Sequence, residues 1–187
     1  MRKLFCLLGS ILIMTAINTG DAKAADPENT ILMEVSSGGT VVMELKPEVA
    51  PKHVERIKKL AREGFYDGII FHRVIDGFMA QTGDPTGTGT GGSKYADLPA
   101  EFSGENFGRG TVGMARAASP DSANSQFFIC FDNCSFLNGQ YTVFAQVTEG
   151  MDHIDAIKKG EPPANPDKIV SMKVKADTEK EAAPATE

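Results

Sequence analysis

Apolar residues alternate twice early in the sequence, at Ile31, Met33 and Val35 and then at Val41, Met43 and Leu45, with Gly38-Gly39 between the runs. A period of two marks a strand with one buried face, and a Gly pair joining two such runs reads as a hairpin. Pro47 and Pro51 stop the second run. Over residues 50–64 the period becomes helical. Val54, Ile57, Leu60 and Ala61 share one face, and Lys52, Glu55, Lys58, Lys59 and Arg62 the other. Pro51 suits the first turn of that helix and Gly64 the position just past its end. His53, in the first turn, is expected in solvent. Short strands follow over 112–115, 126–131, 141–147 and 169–174, and the run 126–131 is apolar enough to be buried on both faces. A helix over 151–159 turns Ile154 and Ile157 inward and leaves His153 at the surface. Phe102 and Phe107 are the expected anchors of the loop before 112. Many short strands with two isolated helices predict a mainly β domain, a closed antiparallel barrel with helices covering its ends.

The densest chemistry lies at residues 71–83, FHRVIDGFMAQTG. Asp76-Gly77 reads as a tight turn between two antiparallel arms, because both residues tolerate turn geometry at low cost. Alternation then puts Phe71, Arg73 and Ile75 on one face, with Met79 and Gln81 sharing a face on the returning arm. An unpaired guanidinium in a sealed apolar core is costly. On the wall of a groove it is reasonable, so the stretch predicts an apolar groove with a fixed donor.

Before residue 25 the chain has a different character. Arg2 and Lys3 precede an apolar run over 4–16, and Ala22-Lys23-Ala24 supplies small residues at a cleavage site. This is the pattern of a secretory signal peptide over 1–24, too short for a comfortable membrane span of about 20 residues. Residues 25–29 are then a lead into a domain over 30–174. Removing residues 1–24 takes away three of the 19 basic and one of the 25 acidic residues, changing the net charge from −6 to −8. That balance disfavours nucleic acid and anionic membrane as partners. The export signal places the protein in a periplasm, with release from the cell as the lesser alternative.

Cys130 and Cys134 are the cysteines beyond the leader. A bridge is open to them in an oxidising compartment, and so is the state of two buried thiols. No His or second Cys pair stands at metal-ligand spacing, and no metal or cofactor is expected. The run GDPTGTGTGGS over 83–93 is Gly-rich, but it lacks a Lys-Ser/Thr pair at the head of a helix. It reads as a flexible surface loop. Residues 175–187 are charged and Ala/Pro-rich, and are expected to be a disordered tail.

Phe71-His72-Arg73-Val74, Gly77-Phe78-Met79, Gln81-Thr82-Gly83-Asp84 and Ser125-Gln126-Phe127-Phe128-Ile129 together resemble the cyclophilin family of peptidyl-prolyl cis–trans isomerases, most nearly its short bacterial exported type. The resemblance runs from about Ile31 to Val174. It implies an eight-stranded antiparallel barrel capped by two helices and a monomer that acts on proline-containing segments of folding proteins. Arg73 would be the principal catalytic residue. Phe78, Met79, Phe128 and Leu137 would line the proline pocket, and Gln81 would hold the substrate carbonyl. The backbone of Met114, Ala115, Arg116 and Ala117 would pair with substrate, and Gln126 would border the next subsite. The sequence departs from the best-known eukaryotic pattern at three positions. Phe136 replaces a Trp, Tyr141 a His beside the pocket, and Arg116 an Asn. Loss of the indole N–H implies weak cyclosporin binding. His72 is expected to be a hydrogen-bonded structural residue. The competing partner for Arg73 is a buried carboxylate, Glu101 or Asp84. A peptide-holding chaperone is the rival functional class. A hydrolase is disfavoured, because no Gly-x-Ser-x-Gly elbow occurs.

Overall fold

The computed structural model describes residues 26–182. The expected signal peptide and residues 183–187 of the tail lie outside the described residues. Strands β1 (Thr30–Val35) and β2 (Gly39–Leu45) form the predicted hairpin, with Ile31 opposite Met43 and Met33 opposite Val41, all four buried. Next come α1 (Pro51–Arg62), β3 (Arg73–Ile75), β4 (Met79–Thr82), β5 (Thr111–Met114), β6 (Phe127–Cys130), β7 (Val143–Glu149), α2 (Met151–Asp155), β8 (Ile169–Val174) and α3 (Lys175–Ala182). The eight strands make one sheet in the order β3-β4-β6-β5-β7-β2-β1-β8, and every paired ladder is antiparallel.

The expected closure is incomplete. No ladder joins β3 to β8. A single bridge, Ile70 to Lys168, spans the seam, helped by the Phe71 N–H donating to Asp167 O at 2.8 Å. The sheet is a curled half-barrel. β3 is only three residues long, so it cannot sustain a further ladder.

α1 caps the barrel through Val54, Ile57, Leu60 and Ala61, all buried, and Gly64 follows its end at φ +66°. Its N-cap, Ala50, has no side chain to accept the first N–H groups. Glu101 supplies the missing acceptor from a distant loop. Its carboxylate takes the backbone N–H of Lys52 and of His53 and lies 2.7 Å from His53 Nδ1. His53, expected in solvent, is therefore fully buried. Burial holds its pKa below the usual 6.5 against the opposing pull of Glu101.

Four further expectations need correction. Phe102 is exposed, while Phe107 is the buried anchor. His153 is partly covered. It packs on the β1–β2 turn, where a Cβ on Gly39 would come 2.8 Å from its ring. α2 stops at Asp155, short of residue 159. Residues 175–182, expected to be disordered, are helical in α3. That helix buries nothing, as its composition requires. It is tied instead by Arg62, which donates to Asp177 and to Glu28 at 2.8 Å each, and its Ala, Lys and Glu content favours helix.

Candidate active site

The turn between β3 and β4 places Gly77 at φ +67°, as Asp-Gly predicts. Arg73 then stands opposite Gln81 and Ile75 opposite Met79. On the next strand Gln81 faces Phe128 and Met79 faces Cys130. Alternation sends Val74, Ala80 and Ile129 into the barrel core and leaves Arg73, Met79, Gln81 and Phe128 on the outer face. Phe71 departs from the expected face and sits in the core. It precedes β3, where the chain is irregular and alternation does not hold.

A second apolar cluster builds that outer face. It contains Met79, Phe107, Phe128, Cys130, Cys134, Leu137 and Val143. Phe107 stacks on Phe128 at 5.7 Å with a 21° tilt. Gly113 makes this possible, since a Cβ there would lie 2.6 Å from Phe107 and 2.7 Å from Phe128. Tyr141 meets Phe128 edge-on at 5.7 Å. The short 3-10 turn Ser135–Leu137 points Leu137 inward and leaves Phe136 62% exposed, tilted on Phe78 at 5.3 Å. Cys130 and Cys134 are buried free thiols. Burial pushes both thiol pKa values up, which disfavours the thiolate.

These groups enclose a cavity of about 230 Å³ lined by Arg73, Phe78, Met79, Gln81, Ala115, Arg116, Phe128, Leu137 and Tyr141. Nine of the thirteen residues given a site role from the sequence thus meet in one place, while the Met114 side chain lies in the barrel core. Ala117 and Gln126 line an adjoining cavity of about 620 Å³, which shares Gln81, Ala115 and Arg116 with the first. Phe136 covers Phe78 at the rim. Arg73 pairs with neither Glu101 nor Asp84. Its Nε donates to Glu161 Oε2 at 2.8 Å, and it is 40% exposed, as a groove wall allows. Glu101 is committed to α1 and Asp84 to its own loop.

That loop, residues 83–93, is not a loose surface segment. The Asp84 carboxylate, almost fully buried, accepts the N–H groups of Thr86, Thr88, Gly89 and Gly91. Burial pushes its pKa up from the usual 3.8, but the bonds from Thr86, Gly91 and Gly89 outweigh burial and bring it to about 2. The folded loop is linked to the groove. Gln126 Nε2 donates to Gly89 O and Gly91 O, and Gln126 Oε1 accepts from Gln81 Nε2 at 2.9 Å. His72 lies beneath the loop, near Gly89. Contrary to expectation, neither ring nitrogen has a partner among the described residues. Burial lowers its pKa, so it is a neutral packing residue.

Sequence reasoning missed Phe107 as a pocket support, Gly113, Asp84 as a loop organiser and Glu161. Gly113 had a local trace, a glycine inside a short apolar strand. Glu161 had none, being 88 residues from Arg73.

The family described as cyclophilin type peptidyl-prolyl cis-trans isomerase/CLD matches residues 30–174. This chain belongs to the cyclophilin-type peptidyl-prolyl cis–trans isomerases. A probable peptidyl-prolyl cis-trans isomerase of Brucella suis is 57% identical over 173 residues, covering 84% of this chain and 88% of the relative. Among solved structures, a cyclophilin from Hirschia baltica is similar with a TM-score of 0.77 at 30% identity, over 86% of this chain and 77% of that one. A cyclophilin type isomerase of Cryptosporidium parvum, crystallised in the presence of the dipeptide Ala-Pro, gives 0.72 at 30% identity, over 78% of this chain and 98% of that one. The cyclophilin match spans all eight strands with α1 and α2, and ends where α3 begins. The chain is accordingly a peptidyl-prolyl isomerase, and the half-barrel is the cyclophilin fold.

Proposed function

We propose that this cyclophilin accelerates X–Pro rotation in folding exported proteins, with Arg73 stabilising the twisted amide. The observation that carries the reading is a guanidinium on the wall of a cavity of about 230 Å³ that Phe78, Met79, Phe128 and Leu137 also line, directly across the ladder from Gln81. A prolyl amide turns slowly because its C–N bond has partial double-bond character, with a barrier of about 18–20 kcal/mol. No bond has to break, so catalysis needs only tighter binding of the twisted state. As the bond twists, resonance is lost and the prolyl nitrogen gains a lone pair. Arg73 stays protonated and offers rigid donors to that nitrogen. Phe78, Met79, Phe128 and Leu137 clamp the ring, while Gln81 holds the substrate on the other side. Two fixed ends and one soft torsion make the reaction.

The substrates are proline-containing segments, in keeping with the Ala-Pro used with the Cryptosporidium relative. The leader over 1–24 supports export to a periplasm. The protein acts there as a monomer, and Phe136, which lacks an N–H donor, binds cyclosporin weakly.

The test is cis-to-trans exchange of a short X–Pro peptide, followed by NMR, with the parent chain and with Arg73→Ala. The parent is expected to catalyse exchange, and the variant to lose at least about tenfold, or about 1.4 kcal/mol of transition-state stabilisation. Peptide binding by the parent without faster exchange would replace the enzyme reading with that of a peptide-holding chaperone. Equal rates for parent and variant would remove Arg73 from the mechanism.

A further inference from the structure

The loop after α2 carries a carboxylate to Arg73 and fixes it there. Gly160 and Val74 exchange two backbone hydrogen bonds, Val74 N–H to Gly160 O at 2.8 Å and Gly160 N–H to Val74 O at 2.9 Å. The loop is therefore fastened to β3 at the residue next to Arg73. Gly160 takes φ +145°, and a Cβ there would stand 2.7 Å from Pro163 Cα, so the fastening needs glycine. From this anchor Glu161 reaches the guanidinium, and Arg73 Nε donates to Glu161 Oε2 at 2.8 Å. Nε is the one Arg73 nitrogen with a protein partner among the described residues. The carboxylate holds the stem side of the guanidinium, Nη1 and Nη2 have no protein partner among the described residues, and Arg73 lines the cavity.

We propose that Glu161 is a positioning residue for catalysis, holding the Arg73 guanidinium plane so that its terminal donors face the prolyl nitrogen. This rests on the reading of Arg73 given above. The pair is too exposed, at 40% and 52%, to stabilise the fold much. A long arginine side chain, though, samples many rotamers, and a misplaced donor loses catalysis steeply. Glu161 thus changes the rate and leaves the stability alone. Its negative charge also tempers the guanidinium, so what matters is the hydrogen bond at Nε rather than the ion pair as such. Glutamine, which keeps an acceptor oxygen without the charge, separates the two contributions.

The experiment measures kcat and KM for a short X–Pro peptide with Glu161→Ala, Glu161→Gln, Arg73→Ala and the Arg73→Ala/Glu161→Ala double variant, together with thermal unfolding and the Arg73 Nε–Hε NMR signal. Glu161→Ala is expected to lower kcat about five- to tenfold with KM and unfolding temperature unchanged. Glu161→Gln recovers most of the loss. In the Arg73→Ala background, removing Glu161 has no further effect. The Arg73 Hε resonance is resolved in the parent and in Glu161→Gln, and merges with the exchange-averaged arginine signals in Glu161→Ala. A Glu161→Ala protein with parental kcat beside a crippled Arg73→Ala would overturn the positioning role alone. So would an undiminished effect of Glu161→Ala in the Arg73→Ala background. If Arg73→Ala itself ran at the parental rate, the reading of Arg73 would fall first and Glu161's role with it, whatever the Hε signal showed.

Discussion

The cavity beside Arg73 is floored by strand residues, Arg73 of β3, Met79 and Gln81 of β4 and Phe128 of β6, with turn residues completing its rim, whereas the larger cavity sharing Gln81, Ala115 and Arg116 with it is walled, Gln81 apart, by loops. The first takes its shape from ladder register and from aromatic packing, Phe107 on Phe128 and Tyr141 against Phe128's edge. The second takes its shape from polar bonds, those received by Asp84 and the chain from Gln81 through Gln126 to Gly89 and Gly91. A packed sheet resists deformation because moving one strand disturbs every neighbour. A loop folded on one carboxylate can open as a unit. On the reading proposed for Arg73, the torsional chemistry sits against the sheet, and discrimination among substrates falls to the loops.

The largest way to break this contrast is at the aromatic floor. Phe128→Ala is expected to cost about 3–5 kcal/mol of stability, because it empties a buried, stacked site. Urea unfolding would read the loss, and isomerase activity would fall with it. Gly113→Ala attacks the same stack from behind. Its added methyl meets both rings at 2.6–2.7 Å, and overpacking of this kind costs about 1–3 kcal/mol.

Asp84→Asn tests the other side. It withdraws charge from an acceptor that collects four backbone N–H groups, at a cost of about 1–3 kcal/mol. Amide exchange should quicken at Thr86, Thr88, Gly89 and Gly91, with the strands β3, β4 and β6 unaffected. Quickening that spread into those strands would show that the two cavities are one mechanical unit.

Acid should destabilise the fold in steps, at α1 and at the loop over residues 83–93. His53 and His72 are buried with pKa values below 6.5. The folded state therefore binds fewer protons there than the unfolded chain, and their contribution is complete above 6.5 and lost as pH falls through the lowered values. Asp84 follows. Its contribution is complete above 3.8 and lost as pH falls toward about 2. The urea midpoint should decline first below pH 6.5 and again below pH 4. A profile flat from pH 7 to 5 would contradict the buried neutral state of the two histidines.

Much of the sheet was legible because its residues obey local rules. β8 falls on the predicted residues, the β1–β2 hairpin follows its alternation, and α1 begins at Pro51 and ends just before Gly64. The groove was legible where it lies on a ladder, from Arg73 to Gln81 to Phe128. What escaped was set by partners far along the chain. His53 looks like a surface residue until Glu101 arrives to cap its helix. The run 83–93 looks like a flexible surface loop until one buried carboxylate gathers its amides. Glu161 carries no local sign of its role, because Gly160 places it by pairing with Val74. In each case a loop is folded by a polar contact across the structure, and periodicity has nothing to say about such contacts.

The smallest expected effect lies where the two cavities meet. The Arg116 guanidinium stacks over the Tyr141 ring at 4.6 Å, and its nitrogens donate to Gln140 O and Ala117 O at 3.0 Å each. An exposed stack of this kind contributes about 0.5–1 kcal/mol, so Arg116→Ala should barely move the unfolding midpoint. Its charge, however, lies on the wall common to both cavities. A substrate carboxylate near the proline would be drawn to it and a substrate ammonium repelled. Removing the charge should lower kcat/KM for a Glu-containing X–Pro peptide relative to a Lys-containing one by about threefold, or about 0.65 kcal/mol. Arg116→Lys should keep that ratio while losing the planar stack on Tyr141. If the ratio stayed constant in Arg116→Ala, the shared wall would be recognising substrate through its backbone, and charge discrimination would have to come from the loop over residues 83–93.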